Sequence, residues 1–327
     1  MGRGAGREDR RIRALRPPKP AVDPWRPIDV LREEERLPQG GVAPTVTVFL
    51  AGAECPFTCV FCDLWRFTTD GPTPEGAIPA QLRRALERTG ELPPQARIKL
   101  YNASNFFDPR AVPPADDPEI ARLVAAFDRV VVECHPKLVG RRCREFAERL
   151  GGRLQVAMGL ETVHPEAASR LNKRSGPDDF RHAAADLALR GIELRAFVLV
   201  GAPFVPADET VEWTERSAAL AAEQGAVHVS LVPVRGGNGE MERLELSGLF
   251  HRPTLEQIEE ALERCLRLAP VVTVDAWDLG GPASRRFADC PSCSAARIAR
   301  LERINRTGDL EPRVACPECE RRGRMMR

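Results

Sequence analysis

The strongest constraint on this chain is a loop that has to follow a strand. The strand-like run Thr45-Val-Thr-Val-Phe-Leu50 leads through Ala51-Gly-Ala53 into Glu54-Cys55-Pro-Phe-Thr-Cys59-Val-Phe-Cys62, three cysteines at C-x3-C-x2-C spacing. Three thiolates on one short loop can each hold one iron of a cubane 4Fe-4S cluster, leaving the fourth iron without a protein ligand. A structural zinc site needs four ligands, and no fourth cysteine stands nearby. Core cysteines seldom gather on one loop, so packing as small hydrophobes is the weaker reading. Cys55, Cys59 and Cys62 therefore read as cluster ligands.

Around that loop the chain alternates in texture. Strand-like runs fall at 45–51, 97–102, 129–134, 154–160, 192–200, 226–233 and 270–276, with helical periodicity at 79–89, 116–127, 137–150, 177–190, 207–223 and 254–268. Repeated βα units imply parallel strands joined by right-handed crossovers. Six to seven of them predict an α/β fold, an open, partial (β/α)6-type TIM barrel, and no nucleotide-type glycine fingerprint follows any strand. Residues 1–40, rich in Gly, Pro and Arg, read as a flexible basic arm. Residues 41–284 read as the barrel, and 285–327 as a small four-cysteine module.

In such a barrel, ligands sit on the loops at the C-terminal ends of the strands. The unusual residues fall there: the cysteine loop, Tyr101-Asn-Ala-Ser-Asn-Phe-Phe-Asp108, Glu133-Cys-His-Pro-Lys137, Gly159-Leu-Glu-Thr162, Gly201-Ala-Pro-Phe204 and Pro233-Val-Arg-Gly-Gly-Asn-Gly239. Alternation within strands turns Arg195, Glu161 and His228 into the lumen, joined by Glu133 and Lys99. Isolated lumen charges are costly, so Arg195 and Glu161 either pair with each other or hold a charged ligand.

The cysteine spacing, with Phe61 before the last cysteine, resembles the signature of the radical S-adenosylmethionine (SAM) superfamily. Within it the segments Glu54–Arg66, Gly159–Thr162 and Gly248-Leu-Phe-His-Arg-Pro253 are similar to the branch containing the Elongator catalytic subunit and the archaeosine-synthase radical SAM subunit. The resemblance spans roughly residues 42–280. It implies that SAM binds the open iron of the 4Fe-4S cluster and is reductively cleaved to a 5′-deoxyadenosyl radical that abstracts hydrogen. It also implies SAM-contacting positions. Ser104 and Asn105 stand where the family has a Gly-Gly-Glu-like segment for the amino group, here without the Glu. Glu161 matches the residue at the ribose or methionine part, Lys173 matches a carboxylate-binding basic residue with Arg195 as competitor, and Phe197–Gly201 would pack near the adenine. The branch modifies tRNA bases.

Cys290-Pro-Ser-Cys293 and Cys316-Pro-Glu-Cys319 are two C-x2-C knuckles separated by 22 residues. Two knuckles complete a tetrahedral four-thiolate site, which reads as Zn2+, and a second Fe–S cluster is the alternative occupant. Arg297, Arg300, Arg303, Arg306 and Arg313 lie inside this unit, where they either grip RNA phosphates or decorate a clip that closes the barrel. Cys143 and Cys265 fall on apolar helical faces and read as core. Cys134 ends the third predicted strand. It is either a catalytic residue that relays a hydrogen atom or carries an adduct, or a packing residue, and His135 shares those alternatives. His164 reads as a helix start.

Net charge is +1, but residues 1–20 carry +5 and residues 294–327 carry +4 around an acidic middle. Such asymmetry suits a polyanionic partner. No apolar run approaches the ~20 residues of a membrane span, and no apolar core follows the arginine-rich start, so a cytoplasmic protein with no membrane partner is expected. The leading expectation is a radical SAM enzyme modifying RNA, a tRNA base in particular, fed by an external electron donor such as flavodoxin or ferredoxin. The same chemistry on a small metabolite or peptide is the alternative, and a non-catalytic iron–sulfur electron-transfer or sensor protein is the third.

Overall fold

The computed structural model describes residues 3–279 and 290–325. A helix α1 (Arg3–Ala14) and a strand β1 (Asp29–Arg36) precede β2 (Val42–Leu50) and the two short strands β3 (Gly52–Ala53) and β4 (Thr68–Thr69). The chain then alternates: α2 (Ala77–Thr89), β5 (Arg97–Asn102), α3 (Asp117–Leu123), β6 (Arg129–Cys134), α4 (Arg141–Arg149) and β7 (Leu154–Glu161). Next come α5 (Pro165–Arg170), α6 (Pro177–Ala188), β8 (Glu193–Val200), α7 (Thr210–Glu223) and β9 (Ala226–Pro233). The described residues end with α8 (Glu240–Leu246), α9 (Leu255–Cys265), β10 (Val271–Val274), α10 (Ser294–Thr307) and α11 (Pro317–Met325).

All seven predicted strands form. With β1 as an eighth strand they make one curled half-barrel sheet in the order β1-β2-β5-β6-β7-β8-β9-β10, parallel throughout except for β1. Period-2 alternation sorts the side chains. One face of each strand (Val46, Val48, Ile98, Leu100, Val130, Val132, Val156, Met158, Leu194, Ala196, Val229, Leu231) joins the helices in the main core. Each fully buried aliphatic side chain there contributes roughly 1.5–3 kcal/mol.

The other face lines the lumen in layers. At its lower end, the Arg195 guanidinium lies against both oxygens of Glu35 at 2.8 and 2.7 Å. Lys99 (3.3 Å) and Arg97 (3.4 Å) share the same carboxylate, and Arg195 also donates to Gln155 at 3.1 Å. His228 bonds Thr273 at 2.8 Å. Burial alone would raise Glu35, but Arg195 and Lys99 outweigh it and hold the carboxyl well below its usual range. Above lies an aromatic floor, with Tyr101 edge-on to Phe49 (6.4 Å) and to Phe197 (6.2 Å).

This layer corrects the reading of residues 1–40 as a flexible arm. β1, the charged run Asp-Val-Leu-Arg-Glu-Glu-Glu-Arg, adds antiparallel to β2 from Asp29↔Phe49 to Arg36↔Val42 and turns Glu33 and Glu35 inward. Its composition looks unlike a strand because its stability comes from lumen cations, and charge is how edge strands avoid further pairing. It also corrects the Arg195–Glu161 pairing. Arg195 sits five residues below the end of β8, roughly 16 Å at ~3.3 Å per residue, and Glu161 has its own partner.

The barrel is open between β1 and β10, and α10 packs against both of these edges. The Asn305 amide accepts from the Val274 N–H (2.9 Å) and donates to its carbonyl (2.7 Å), standing in for a ninth strand. No helix among the described residues is long and apolar enough to cross a membrane. Removing the lumen carboxylate should be severe, because it leaves Arg195 buried without an anion. Glu35→Ala is expected to lower stability to urea by about 3–5 kcal/mol; a loss under about 1 kcal/mol would contradict the central role given to this group.

Candidate active site and metal centres

The cysteine loop follows β2 with only the two short strands β3 and β4 inside and beyond it, so its backbone needs partners from elsewhere. Three asparagines from three other loops hold it, two by its backbone carbonyls and one by a thiol. Asn105, after β5, donates to Cys55 Sγ at 3.2 Å. Asn172, after α5, donates to the Thr58 carbonyl (2.9 Å) and hydroxyl (2.8 Å). Asn238, after β9, donates to the carbonyls of Val60 (2.8 Å) and Cys62 (3.1 Å). A backbone bond from Val60 to the Leu171 carbonyl at 3.0 Å completes the brace.

Beside the loop, Lys173 and Glu161 form a buried ion pair. Three residues hold unusual left-handed backbone to place it: Glu161 (φ 69°), Asn172 (φ 52°) and Arg174 (φ 62°). Gly159 leaves the room, since a Cβ there would run into both charged groups. Burial alone would lower Lys173, but Glu161 and then the neighbouring Cys59 raise it above its usual value. Burial pushes the Cys59 thiol up to about 12 and that of Cys62 well above its usual range. Without a metal these thiols keep their protons, and loading must release them.

His135 ties the neighbouring loops together. Its N–H donates to Asn105 Oδ1 (2.6 Å), Nδ1 accepts from the Lys137 N–H (3.2 Å), and Nε2 meets the Lys173 carbonyl at 3.0 Å. That network assigns the proton to Nε2. The ring stacks on Phe57 at 3.8 Å, inside the cysteine loop. Burial, reinforced by Lys173, depresses its pKa to about 4.

The expected SAM-contact residues are thus divided. Glu161, Lys173, Ser104 and Asn105 lie at the loop end of the lumen, and the Ser104 hydroxyl is buried with no hydrogen-bond partner. Asn105 is committed to Cys55 and His135, so it braces the loop. Arg195 is a correction: it belongs to the lower layer with Glu35. Cys134 is a second correction to a catalytic reading. Strand parity turns its side chain to the helix face, where it is 4% exposed in the main core and its thiol donates to the His135 carbonyl. Cys143 and Cys265 are also core, and His164 caps α5 by accepting from the Ala167 N–H. Sequence reading overlooked Thr58, Asn172 and Asn238. Their signal was present, a polar amide in each loop near a strand's C-terminal end, but an asparagine that binds backbone looks like any loop asparagine.

Among the described residues only Cys290, Cys293, Cys316 and Cys319 bring all their ligand atoms within 4.8 Å of one another. In that second centre Cys290 and Cys316 are 3.8 Å apart and Cys293 and Cys319 3.6 Å. A zinc–sulfur bond of about 2.3 Å in a tetrahedron spaces its sulfurs by about 3.8 Å. Four of the five arginines named above are engaged, Arg297 and Arg300 by Glu259, Arg300 and Arg313 by Glu263, and Arg303 by Glu311, while no such ion pair is seen for Arg306 among the described residues. Arg300 is 1% exposed. This is the bonding of a clip.

The remaining lumen carboxylate of note is Glu133, which faces inward and accepts only the Asn102 N–H, at 3.2 Å. Burial lifts its pKa to about 8. The folded chain therefore holds a proton here that the unfolded chain releases near its ordinary value of about 4.3. Stability from this group is full below that value and is lost as pH rises through about 8. Glu133→Gln keeps the acceptor and removes the titration. Its melting temperature should exceed that of the unaltered chain at pH 8.5, and the gain should shrink towards pH 5. An equal gain at both pH values would contradict the buried acid.

No protein-family model matches the chain, and no curated protein matches it. Among solved structures, the archaeal Methanocaldococcus infernus Elp3 with an N-terminal deletion is similar, with a TM-score of 0.52 and 14% identity. The match covers 80% of this chain and 63% of that one, so this chain spans less than two thirds of its length. The radical S-adenosylmethionine methyltransferase TsrM from Kitasatospora setae, bound to cobalamin and a 4Fe-4S cluster, matches at TM-score 0.44 and 13% identity over 59% of this chain and 38% of that one. Coproporphyrinogen III oxidase (HemN) from Escherichia coli, a radical SAM enzyme, matches at TM-score 0.42 and 13% identity over 81% of this chain and 55% of that one.

Proposed function

The chain has the fold of the radical SAM superfamily and resembles Elp3, and from this premise we propose that it is a radical SAM enzyme. The observation that carries the proposal is the three-cysteine loop, braced at the mouth of the lumen beside the Glu161–Lys173 pair. Bound to Cys55, Cys59 and Cys62, a 4Fe-4S cluster supplies the electron that cleaves SAM to a 5′-deoxyadenosyl radical. The protein's part is binding and exclusion. Lys173 offers its ammonium to the SAM carboxylate, and Glu161 accepts from the ribose hydroxyls or the methionine amino group. The unpartnered Ser104 hydroxyl adds a second polar contact, and Phe197 and its neighbours cover the adenine. The aromatic floor keeps water in the lower lumen from reaching a radical above it. The four-cysteine centre holds Zn2+, supported by its 3.6 and 3.8 Å sulfur spacings. A flavodoxin or ferredoxin supplies the electron, in the reducing setting of the cytoplasm, which suits ten free cysteines.

Anaerobic reconstitution with iron and sulfide, followed by dithionite and SAM, should give 5′-deoxyadenosine from the unaltered chain and none from Cys59→Ala. Both should retain one zinc per chain. Cluster without deoxyadenosine would move the protein to the electron-transfer or sensor reading.

For substrate we propose an RNA base, tRNA in particular. Support comes from the mouth of the lumen. Trp277, just beyond β10, is 60% exposed, and the Arg235 guanidinium stacks over its ring at 4.5 Å. An aromatic face backed by a cation is what an unstacked base binds. Asp275, on the lumen face below, offers a carboxylate whose pKa is raised by burial. Base stacking contributes roughly 1–3 kcal/mol, so Trp277→Ala should weaken tRNA binding about five- to hundred-fold while leaving SAM cleavage intact. Unchanged affinity, or binding insensitive to salt, would favour a small-metabolite or peptide substrate.

A further inference from the structure

The asparagine brace holds the cysteine loop from inside the barrel, and α1 holds it from outside. Asp9 Oδ1 accepts from the Thr58 hydroxyl (2.5 Å) and from Asn172 Nδ2 (3.0 Å), while Oδ2 takes the Arg174 guanidinium. Thr58 is 1% exposed and sits between two of the loop cysteines. Hydrogen bonds from Thr58, Asn172 and Arg174 hold the Asp9 carboxyl below its usual pKa, against the opposing effect of burial. Two residues further, Arg11 binds Glu240 at 2.5 and 2.8 Å, and the Glu240 side chain is 1% exposed. Glu240 opens α8, the helix that follows the brace residue Asn238. Ile12, 3% exposed, packs with Val60, Leu171, Met241 and Leu244.

The chain leaving α1 continues across the same loop. Arg16 binds Glu54 at 2.9 Å and lies 4.8 Å over the Trp65 ring, and Lys19 binds the Thr68 carbonyl (2.8 Å) and Asp70 (3.0 Å). The Leu15 carbonyl presses against Gly239, whose φ of 87° and missing Cβ permit the contact. Segment 9–19 therefore touches the cysteine loop before its first ligand, between its first two, just ahead of its third and after it. A helix with one buried apolar residue and a largely arginine surface has little reason to dock for its own stability. Its buried contacts go to the loop, to the Asn172–Arg174 turn and to α8, which follows the brace residue Asn238.

We propose that α1 is a strap for the three-cysteine loop and that Asp9 is its positioning residue. Asp9 joins Thr58 to the strained Asn172–Arg174 turn that also presents Lys173, so one carboxylate sets the loop and the ion pair together. Retention of the cluster then depends on the N-terminal segment. That consequence rests on the cluster reading above, but the hold on the loop does not.

The test uses the full chain without iron first. Iodoacetamide labelling, resolved by peptide mass spectrometry, compares Cys55, Cys59 and Cys62 with the core thiols Cys134, Cys143 and Cys265. In Asp9→Ala the three loop cysteines should label at least ten-fold faster while the core thiols keep their rate. Arg174→Ala should do the same more weakly, and Asp9→Glu should restore protection in part. Arg7→Ala, on the same helix, should change nothing. After reconstitution, Asp9→Ala should lose iron in air at least ten-fold faster, with altered g-values for the reduced cluster and unchanged zinc. Uniform acceleration at all six thiols would mean general unfolding and overturn the proposal, as would unchanged labelling in both Asp9→Ala and Arg174→Ala. If the unaltered chain takes up no iron, the cluster reading fails by itself and the labelling still decides the strap.

Discussion

The loop that carries Cys55, Cys59 and Cys62 does not satisfy its own backbone. Its carbonyls at Thr58, Val60 and Cys62 accept side-chain amides because no strand or long helix runs close enough to accept them into a ladder. The parallel half-barrel solves this by geometry. Every strand's C-terminal end delivers a loop to the same rim, so asparagines separated by more than 130 residues in sequence arrive around one segment. The amide suits the task, since Nδ2 donates to a carbonyl while Oδ1 stays free. Asn105 uses its oxygen for the His135 N–H, which ties it to a second loop, and Asn238 uses its own for the Met241 N–H in the first turn of α8.

Charge in the lumen is sorted by height. The lower layer is paired internally, with three cations around Glu35 and a further acid, Glu33, on Lys99 at 2.6 Å. Such buried pairs contribute little net stability and mainly penalise any arrangement that separates them. Their effect is to make β1 obligatory. The upper end keeps groups that are only partly committed: Glu133, Asp275 and the Ser104 hydroxyl. Polar groups buried without full partners cost stability, and they persist where a ligand completes them. The aromatic layer of Phe49, Tyr101 and Phe197 separates the two regimes.

Much of this was legible in the sequence. Seven strands, their inward faces and the Cys55–Cys62 loop follow from periodicity and spacing, which are local properties. Lys99, Glu133, Glu161, Arg195 and His228 all face the lumen as parity requires. What parity cannot supply is height along the strand and the identity of partners. Arg195 and Glu161 share a face, yet one is near the bottom and the other at the rim. The partner of Arg195 is in a segment whose composition signals disorder, because the side-chain contacts of β1 and α1 include many ion pairs with distant residues, which local periodicity does not show. Cys134 shows the converse error, a residue beside the pocket in sequence whose side chain points the other way.

The C-terminal arginines make the same point about charge. Counted in sequence, they form a basic tail suited to a polyanion. In the fold, Arg297, Arg300 and Arg313 reach back to Glu259 and Glu263 on α9, and Arg303 holds Glu311. The pair of Arg300 with Glu259 is fully buried, so neither charge is free for phosphate. The module's local positive charge is thus the complement of an acidic helix face, and the energy of that match holds α10 across the gap between β1 and β10. Cys290 and Cys293, at the start of α10, come together with Cys316 and Cys319, at the start of α11, so the four thiols gather both ends of the segment that carries these arginines. Closure of the barrel is what this bonding accounts for, since α10 packs against both open edges while its buried arginines are held by α9.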